Sequence, residues 1–149
     1  VADLELHRIF KVPAAGGKAT EFATIAAPRG VAFDKGGNLF VLSTTKDQVF
    51  RVTPDGKATV VVPGRPFRFP HNIAVTEEGT IFVTDGYGKC VWRIAGEEAP
   101  EKLVGGEPFS NPVGLSISGE TLLVVDSRAN AVFEGDLSGK LTKIAPAAE

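Results

Sequence analysis

Three segments of the chain open with the same pattern at a constant interval. They begin at Pro28, Pro70 and Pro112, which are 42 residues apart, and read Pro-Arg-Gly-Val-Ala-Phe-Asp, Pro-His-Asn-Ile-Ala-Val-Thr and Pro-Val-Gly-Leu-Ser-Ile-Ser. A period of roughly 20–50 residues is the signature of repeat architectures, in which each copy forms one supersecondary unit. The interval therefore constrains the fold more than any single motif does.

Each copy alternates short apolar segments with turn residues such as Lys35-Gly-Gly-Asn38 and Pro54-Asp-Gly56. Four strands are predicted per copy: 30–34, 39–43, 49–53 and 58–62; then 72–75, 81–84, 91–95 and 101–104; then 114–117, 122–125, 131–134 and 141–144. Apolar residues do not recur at helical spacing over three turns, and turn signals come every ~8–12 residues. The sequence therefore predicts an all-β fold.

Four antiparallel strands in 42 residues match one blade of a β-propeller. A strand over 6–12 and another near 19–25 match only the second half of such a copy. We therefore predict one propeller domain of about three and a half four-stranded blades. Its segments are a partial blade (a hairpin) at 1–27 and blades at 28–69, 70–111 and 112–149.

The Pro-x-[Gly/Asn]-hydrophobic opening and the [Leu/Ile]-[Phe/Leu]-Val second strand resemble the repeats of NHL-type propellers. This resemblance implies that the chain forms about half of a six-bladed ring. Closed propellers have about 4–8 blades, and an open end exposes apolar blade faces. The chain is then either a fragment of a longer chain or part of an oligomer, and we expect the isolated chain to self-associate.

Composition excludes some functions and leaves others open. The net charge of −2, with both signs interspersed, provides no basic surface for nucleic acid. The apolar runs fall far short of the roughly 20 residues of a membrane-spanning helix. A single cysteine excludes an internal disulfide framework. The compartment is not fixed, although an extracytoplasmic one (secreted or periplasmic) is slightly favoured.

In a propeller, the loop entering each blade and the loop after its second strand meet on one face. Polar residues at these positions predict a rim around the central channel that binds a small polar or anionic ligand, or a protein. The candidate ligand-binding residues are Arg29, His71, Asn72, Asp85, Tyr87, Lys89, Asp126 and Arg128.

The run from Phe69 to Asp85 resembles a blade of the peptidyl-hydroxyglycine amidating lyases. That resemblance implies that His71 is a zinc ligand, and that Tyr87, within Asp-Gly-Tyr-Gly, is a functional tyrosine. A catalytic zinc needs about three protein ligands. The positions equivalent to His71 in the other copies are Arg29 and Val113, and neither of these side chains binds zinc.

The blade pattern also resembles the gluconolactonase propellers, which implies calcium held by Asn72, Asp85 and Asp126. Streptogramin lyases use a similar propeller and are a further alternative. We favour a binding module over an enzyme for the chain on its own. The alternative is a divalent-metal-dependent lyase or lactonase, with zinc or calcium as cofactor and further ligands outside this chain.

Overall fold

The computed structural model of the protein describes residues 1–146, and all regular structure in that part of the chain is β-strand. The strands form one three-stranded and three four-stranded antiparallel sheets, in which strands consecutive in sequence are neighbours. The first sheet comprises β1 (Ala2–Asp3), β2 (Arg8–Lys11) and β3 (Thr20–Thr24). The second comprises β4 (Pro28–Phe33), β5 (Leu39–Ser43), β6 (Val49–Val52) and β7 (Ala58–Val62).

The other two sheets repeat the order of the second. The third sheet comprises β8 (Pro70–Val75), β9 (Ile81–Asp85), β10 (Cys90–Ile94) and β11 (Glu101–Gly105). The fourth comprises β12 (Pro112–Ser118), β13 (Thr121–Asp126), β14 (Ala131–Asp136) and β15 (Leu141–Pro146). Each sheet lies within one of the four predicted segments, and the last three residues of the predicted segment 112–149 lie outside the described residues. The predicted all-β fold is confirmed.

The sheets pack face to face, with one buried apolar cluster between each adjacent pair. Alternate residues of a strand point to opposite faces, so neighbours on β5 serve different clusters. Val41 packs towards the first sheet, whereas Leu42 packs towards the third, and both are fully buried. This two-sided burial explains why the second strands β5 and β9 are buried along their whole length and begin with unbroken apolar runs.

The first strands of the three complete sheets, β4, β8 and β12, are the inner strands and lie next to one another. β4 and β8 come very close at Gly30. A β-carbon there would lie 3.0 Å from the backbone nitrogen of Ile73 and 3.1 Å from Cα of Asn72. Glycine suits this position because a side chain would press against backbone atoms of β8, which would have to shift.

The first sheet corrects one prediction. We expected a bare hairpin from the second half of a blade, but β1 adds a short second strand, so that only the inner strand has no counterpart. His7, expected within a strand, lies in the turn between β1 and β2 with φ of 56°. Its Nδ1 accepts a hydrogen bond from the backbone N–H of Ala27 at 3.0 Å.

No helix in residues 1–146 has the length and apolar character needed to cross a membrane.

Candidate functional site

Asp85 ends β9 and is fully buried. It fixes the loop that enters its own sheet, because its carboxylate accepts the backbone N–H groups of Arg68 and Phe69, each at 2.8 Å. It also accepts the N–H of Gly88 at 2.9 Å and the indole N–H of Trp92 at 3.2 Å. Both carboxylate oxygens are therefore used within the protein.

Asp126 repeats this arrangement at the end of β13. It is 1% exposed and accepts the N–H groups of Ser110, Asn111, Arg128 and Ala129 at 2.7–3.0 Å. We expected Asp85 and Asp126 in loops around the channel. The structure instead places both at strand ends, where bonding to backbone donors keeps a carboxylate out of solvent. Neither presents a free carboxylate to a ligand or to calcium.

Three of the predicted residues do come together, around a residue that was not predicted. Phe69 stacks on Tyr87 with ring centroids 4.7 Å apart, and the His71 ring meets it edge-on at 4.9 Å. The guanidinium carbon of Arg29 lies 4.8 Å from the centre of the Phe69 ring. We call Arg29, Phe69, His71 and Tyr87 the basic–aromatic cluster.

Two nitrogen atoms of this cluster are buried without a hydrogen-bond partner: Nε of Arg29 and Nε2 of His71. Burial lowers the pKa of His71 below its usual range, and the positive charge of Arg29 lowers it further, while the charge of Asp85 acts in the opposite direction. His71 is therefore a neutral imidazole at pH 7, next to a permanent cation.

Asn111 lies beside His71 and was missed by the sequence analysis. A β-carbon at Gly86 would lie 2.3 Å from Oδ1 of Asn111 and 2.8 Å from Nε2 of His71, so both atoms converge on this glycine. The Asn111 amide donates to Oγ of Ser127 at 3.0 Å. A signal was available, because Phe69 and Asn111 both directly precede a proline of the repeat.

The remaining predicted residues lie apart from the cluster. Asn72 is half-buried on β8, and its side-chain oxygen accepts the N–H of Ile73 at 2.9 Å. Lys89 and Arg128 are exposed on the turns that follow β9 and β13. The structure thus groups Arg29, His71 and Tyr87, but not Asn72, Lys89 or Arg128.

Within residues 1–146, no three or more His, Cys, Asp or Glu side chains are grouped so that they could hold a metal ion. His71, the predicted zinc ligand, has Asn111 and Arg29 as polar neighbours rather than carboxylates or thiols free to bind zinc. The described residues therefore do not fit a zinc site on their own.

Cys90 and Trp92 have structural surroundings. Burial raises the pKa of the Cys90 thiol to about 11, with a smaller contribution from the charge of Asp85, so the thiol stays protonated at neutral pH. The Trp92 ring packs against Phe67 with centroids 5.7 Å apart. Phe133, which is equivalent to Trp92, packs edge-on against Phe109, with centroids 5.2 Å apart.

The sequence matches no protein-family model and no curated protein sequence. Its fold is similar to that of solved propeller enzymes. Virginiamycin B lyase from Staphylococcus aureus with quinupristin is 19% identical, with a TM-score of 0.79 over 98% of this chain and 51% of that one. A gluconolactonase from Xanthomonas campestris is 20% identical, with a TM-score of 0.76 over 95% of this chain and 56% of that one.

A streptogramin B lyase gives a TM-score of 0.78 at 18% identity, over 95% of this chain and 49% of that one. The chain thus spans about half the length of the lyases that it matches. The likeness confirms the predicted β-propeller fold. The assignment to NHL-type repeats stays a prediction.

Proposed function

We propose that this chain is a propeller module that binds a small polar or anionic ligand through the basic–aromatic cluster. The observation that carries the proposal is Arg29. Its side chain is half-buried, yet it makes no hydrogen bond or ion pair with any residue in 1–146. A partly desolvated guanidinium without a counter-ion favours binding an anion, and its planar donors suit a carboxylate or a phosphate.

The neighbours of Arg29 suit a ligand that combines an anionic group with neutral polar groups. The neutral imidazole of His71 can donate or accept a hydrogen bond without adding charge. Tyr87 rests on Phe69 and is 59% exposed, which leaves aromatic surface open for the rest of a ligand.

The proposal is tested by titrating the chain with acetate and with inorganic phosphate while the ring proton signals of His71 are followed by NMR. We expect a saturable shift. Arg29→Gln should weaken binding about tenfold or more, since a hydrogen bond to a charged group contributes about 1.5–3 kcal/mol.

Arg65→Gln is the matched control, because Arg65 is an exposed arginine on the loop that enters the same sheet as His71. An equal loss in both variants would show that the anions respond only to general charge. If the His71 signals showed no saturable shift, the basic–aromatic cluster would not be an anion-binding site.

The similarity to lyases and lactonases favours a second candidate: a divalent-metal-dependent enzyme of this kind, in which His71 is one of several metal ligands. Because residues 1–146 do not provide the others, they would have to come from outside these residues. Elemental analysis of the purified protein tests this. Stoichiometric zinc or calcium that is lost in His71→Ala but kept in Arg128→Ala supports the enzyme, and metal-free protein contradicts it for this chain alone.

A further inference from the structure

The side chain of Asn111 is oriented by a hydrogen bond beside His71. Its amide nitrogen donates to Oγ of Ser127 at 3.0 Å, so its amide oxygen Oδ1 points away from Ser127. Oδ1 of Asn111 and Nε2 of His71 both lie within 2.8 Å of the point that a β-carbon of Gly86 would occupy. An acceptor atom of Asn111 and one ring nitrogen of His71 therefore converge on the same place.

The two ring nitrogens of His71 have different surroundings. Nε2 is buried and has no hydrogen-bond partner within residues 1–146. Nδ1 is not a buried, unpartnered atom of this kind, and the ring as a whole is half-buried. Since Nδ1 makes no hydrogen bond in the described part of the chain either, it is the nitrogen that is open to solvent or to a ligand.

These surroundings favour one tautomer of the ring. A neutral imidazole carries its proton on one nitrogen, and the other nitrogen accepts a hydrogen bond. With the proton on Nδ1, a lone pair of Nε2 would be buried beside the lone pairs of Asn111 Oδ1. With the proton on Nε2, the buried N–H has an acceptor beside it, which lowers the cost of burying this polar group.

We propose that Asn111 holds His71 with its proton on Nε2, so that Nδ1 is an acceptor and the basic–aromatic cluster selects anions that carry an O–H group of their own. The inference rests on the proposed anion binding at this cluster. Arg29 offers N–H donors to the charged oxygens, and Nδ1 accepts the O–H. Both side chains contact the ring of Phe69, so one small anion can reach both. Asn111 acts through His71 and is a positioning residue.

The tautomer is measured by two-bond ¹H–¹⁵N NMR of the intact, ¹⁵N-labelled chain at about pH 8, where an imidazole is neutral. We expect the ring proton of His71 on Nε2. His7 is an internal reference, because its Nδ1 accepts the N–H of Ala27 at 3.0 Å and its own ring proton therefore lies on Nε2. A proton on Nδ1 of His71 would overturn the inference.

The selectivity is measured with matched anions, using the saturable shift of the His71 ring signals. Glycolate has the same charge as acetate and adds one O–H group, and phosphate keeps an O–H at neutral pH whereas sulfate has none. We expect glycolate to bind about three- to tenfold more tightly than acetate, which is the range that one neutral hydrogen bond provides. Phosphate should likewise bind more tightly than sulfate. Equal binding within both pairs would overturn the selectivity.

Asn111→Leu removes the acceptor with little change in size. It should increase the share of His71 that carries its proton on Nδ1 and should reduce the preference for glycolate, while acetate still binds to Arg29. Ser110→Ala is the matched control, because Ser110 is the preceding residue and its backbone N–H, which donates to Asp126 at 2.7 Å, is kept. An unchanged tautomer and an unchanged preference in Asn111→Leu would overturn the role of Asn111.

The two measurements separate this inference from the function on which it rests. If neither acetate nor glycolate shifts the His71 signals, anion binding fails and the selectivity fails with it, whatever the tautomer. If acetate binds saturably and the His71 proton lies on Nδ1, only the inference about Asn111 is overturned.

Discussion

Asp85 shows most directly that the candidate site depends on buried polar groups. It is fully buried and accepts three backbone N–H groups and the indole N–H of Trp92. In Asp85→Ala these donors lose their partner, and a buried unsatisfied donor costs about 1–3 kcal/mol. We expect the free energy of unfolding to fall by about 3 kcal/mol or more, measured by urea denaturation with circular dichroism.

Tyr87→Ala is the matched control for this prediction. Tyr87 lies two residues further along the same turn and is 59% exposed. Its stacking on Phe69 is worth about 1 kcal/mol. If Asp85→Ala lowered the free energy of unfolding no more than Tyr87→Ala does, the hydrogen bonds of Asp85 would not be what stabilises the loop.

His71 makes stability depend on pH. Burial and the charge of Arg29 lower its pKa below the usual 6.5. The unfolded chain then binds the proton more readily than the folded one. The contribution to stability is complete above pH 6.5 and is lost as the pH falls towards the folded-state pKa. We expect the pKa of His71, measured by NMR titration, to lie below 6.5 and to rise in Arg29→Gln. An unchanged pKa in Arg29→Gln would show that the charge of Arg29 does not act on His71.

At the scale of the elements, Gly30 lies at a contact between strands, whereas Gly86 lies at the candidate site. In Gly30→Ala the new β-carbon would meet backbone atoms of Ile73 and Asn72 at 3.0–3.1 Å, and neighbouring inner strands cannot easily move apart. In Gly86→Ala it would meet side-chain atoms of Asn111 and His71, which can rotate away.

We therefore expect Gly30→Ala to lower the free energy of unfolding by about 1–3 kcal/mol. Gly86→Ala should cost less stability but should displace the His71 ring, which would appear as a change in its NMR signals and as weaker acetate binding. Thermal unfolding of both variants distinguishes these outcomes. The reverse order of stability would show that the inner strands are less tightly packed than the structure indicates.

The strands could be predicted because the 42-residue period aligns three copies, and alternation fixes which residues face the clusters. The loop conformations could not be predicted, because they depend on which buried carboxylate accepts the hydrogen bonds of the loop N–H groups. Asp85 and Asp126 appeared to be loop residues, yet as the last residues of their strands they point inward and bind N–H groups of the preceding loop. Phe69 and Asn111 could not be predicted from the repeat, because they lie one residue before its first proline and the copies share no residue type there.

At the scale of the whole molecule, the two ends of the stack differ from its interior. Leu42 and Thr84 are equivalent to Val125 and are fully buried by the next sheet, whereas Val125 is 44% exposed. Val125 and Val132 border an open cleft of about 270 Å³ on the fourth sheet. At the other end, Phe33 is 66% exposed. Both end surfaces are apolar because they carry the same residue pattern as the interior sheets, although no further sheet covers them within the described residues.

Exposed apolar sheet faces of this kind favour association. We expect the isolated chain to self-associate at micromolar concentration through the face of the fourth sheet that contains Val125. Light scattering should therefore give a mass above that of the monomer. Val125→Asp should restore the monomer, because it places a charge in the contact, whereas Glu120→Gln, an exposed change on the preceding turn, should not. A clean monomer of the unaltered chain at micromolar concentration would show that this face needs no partner.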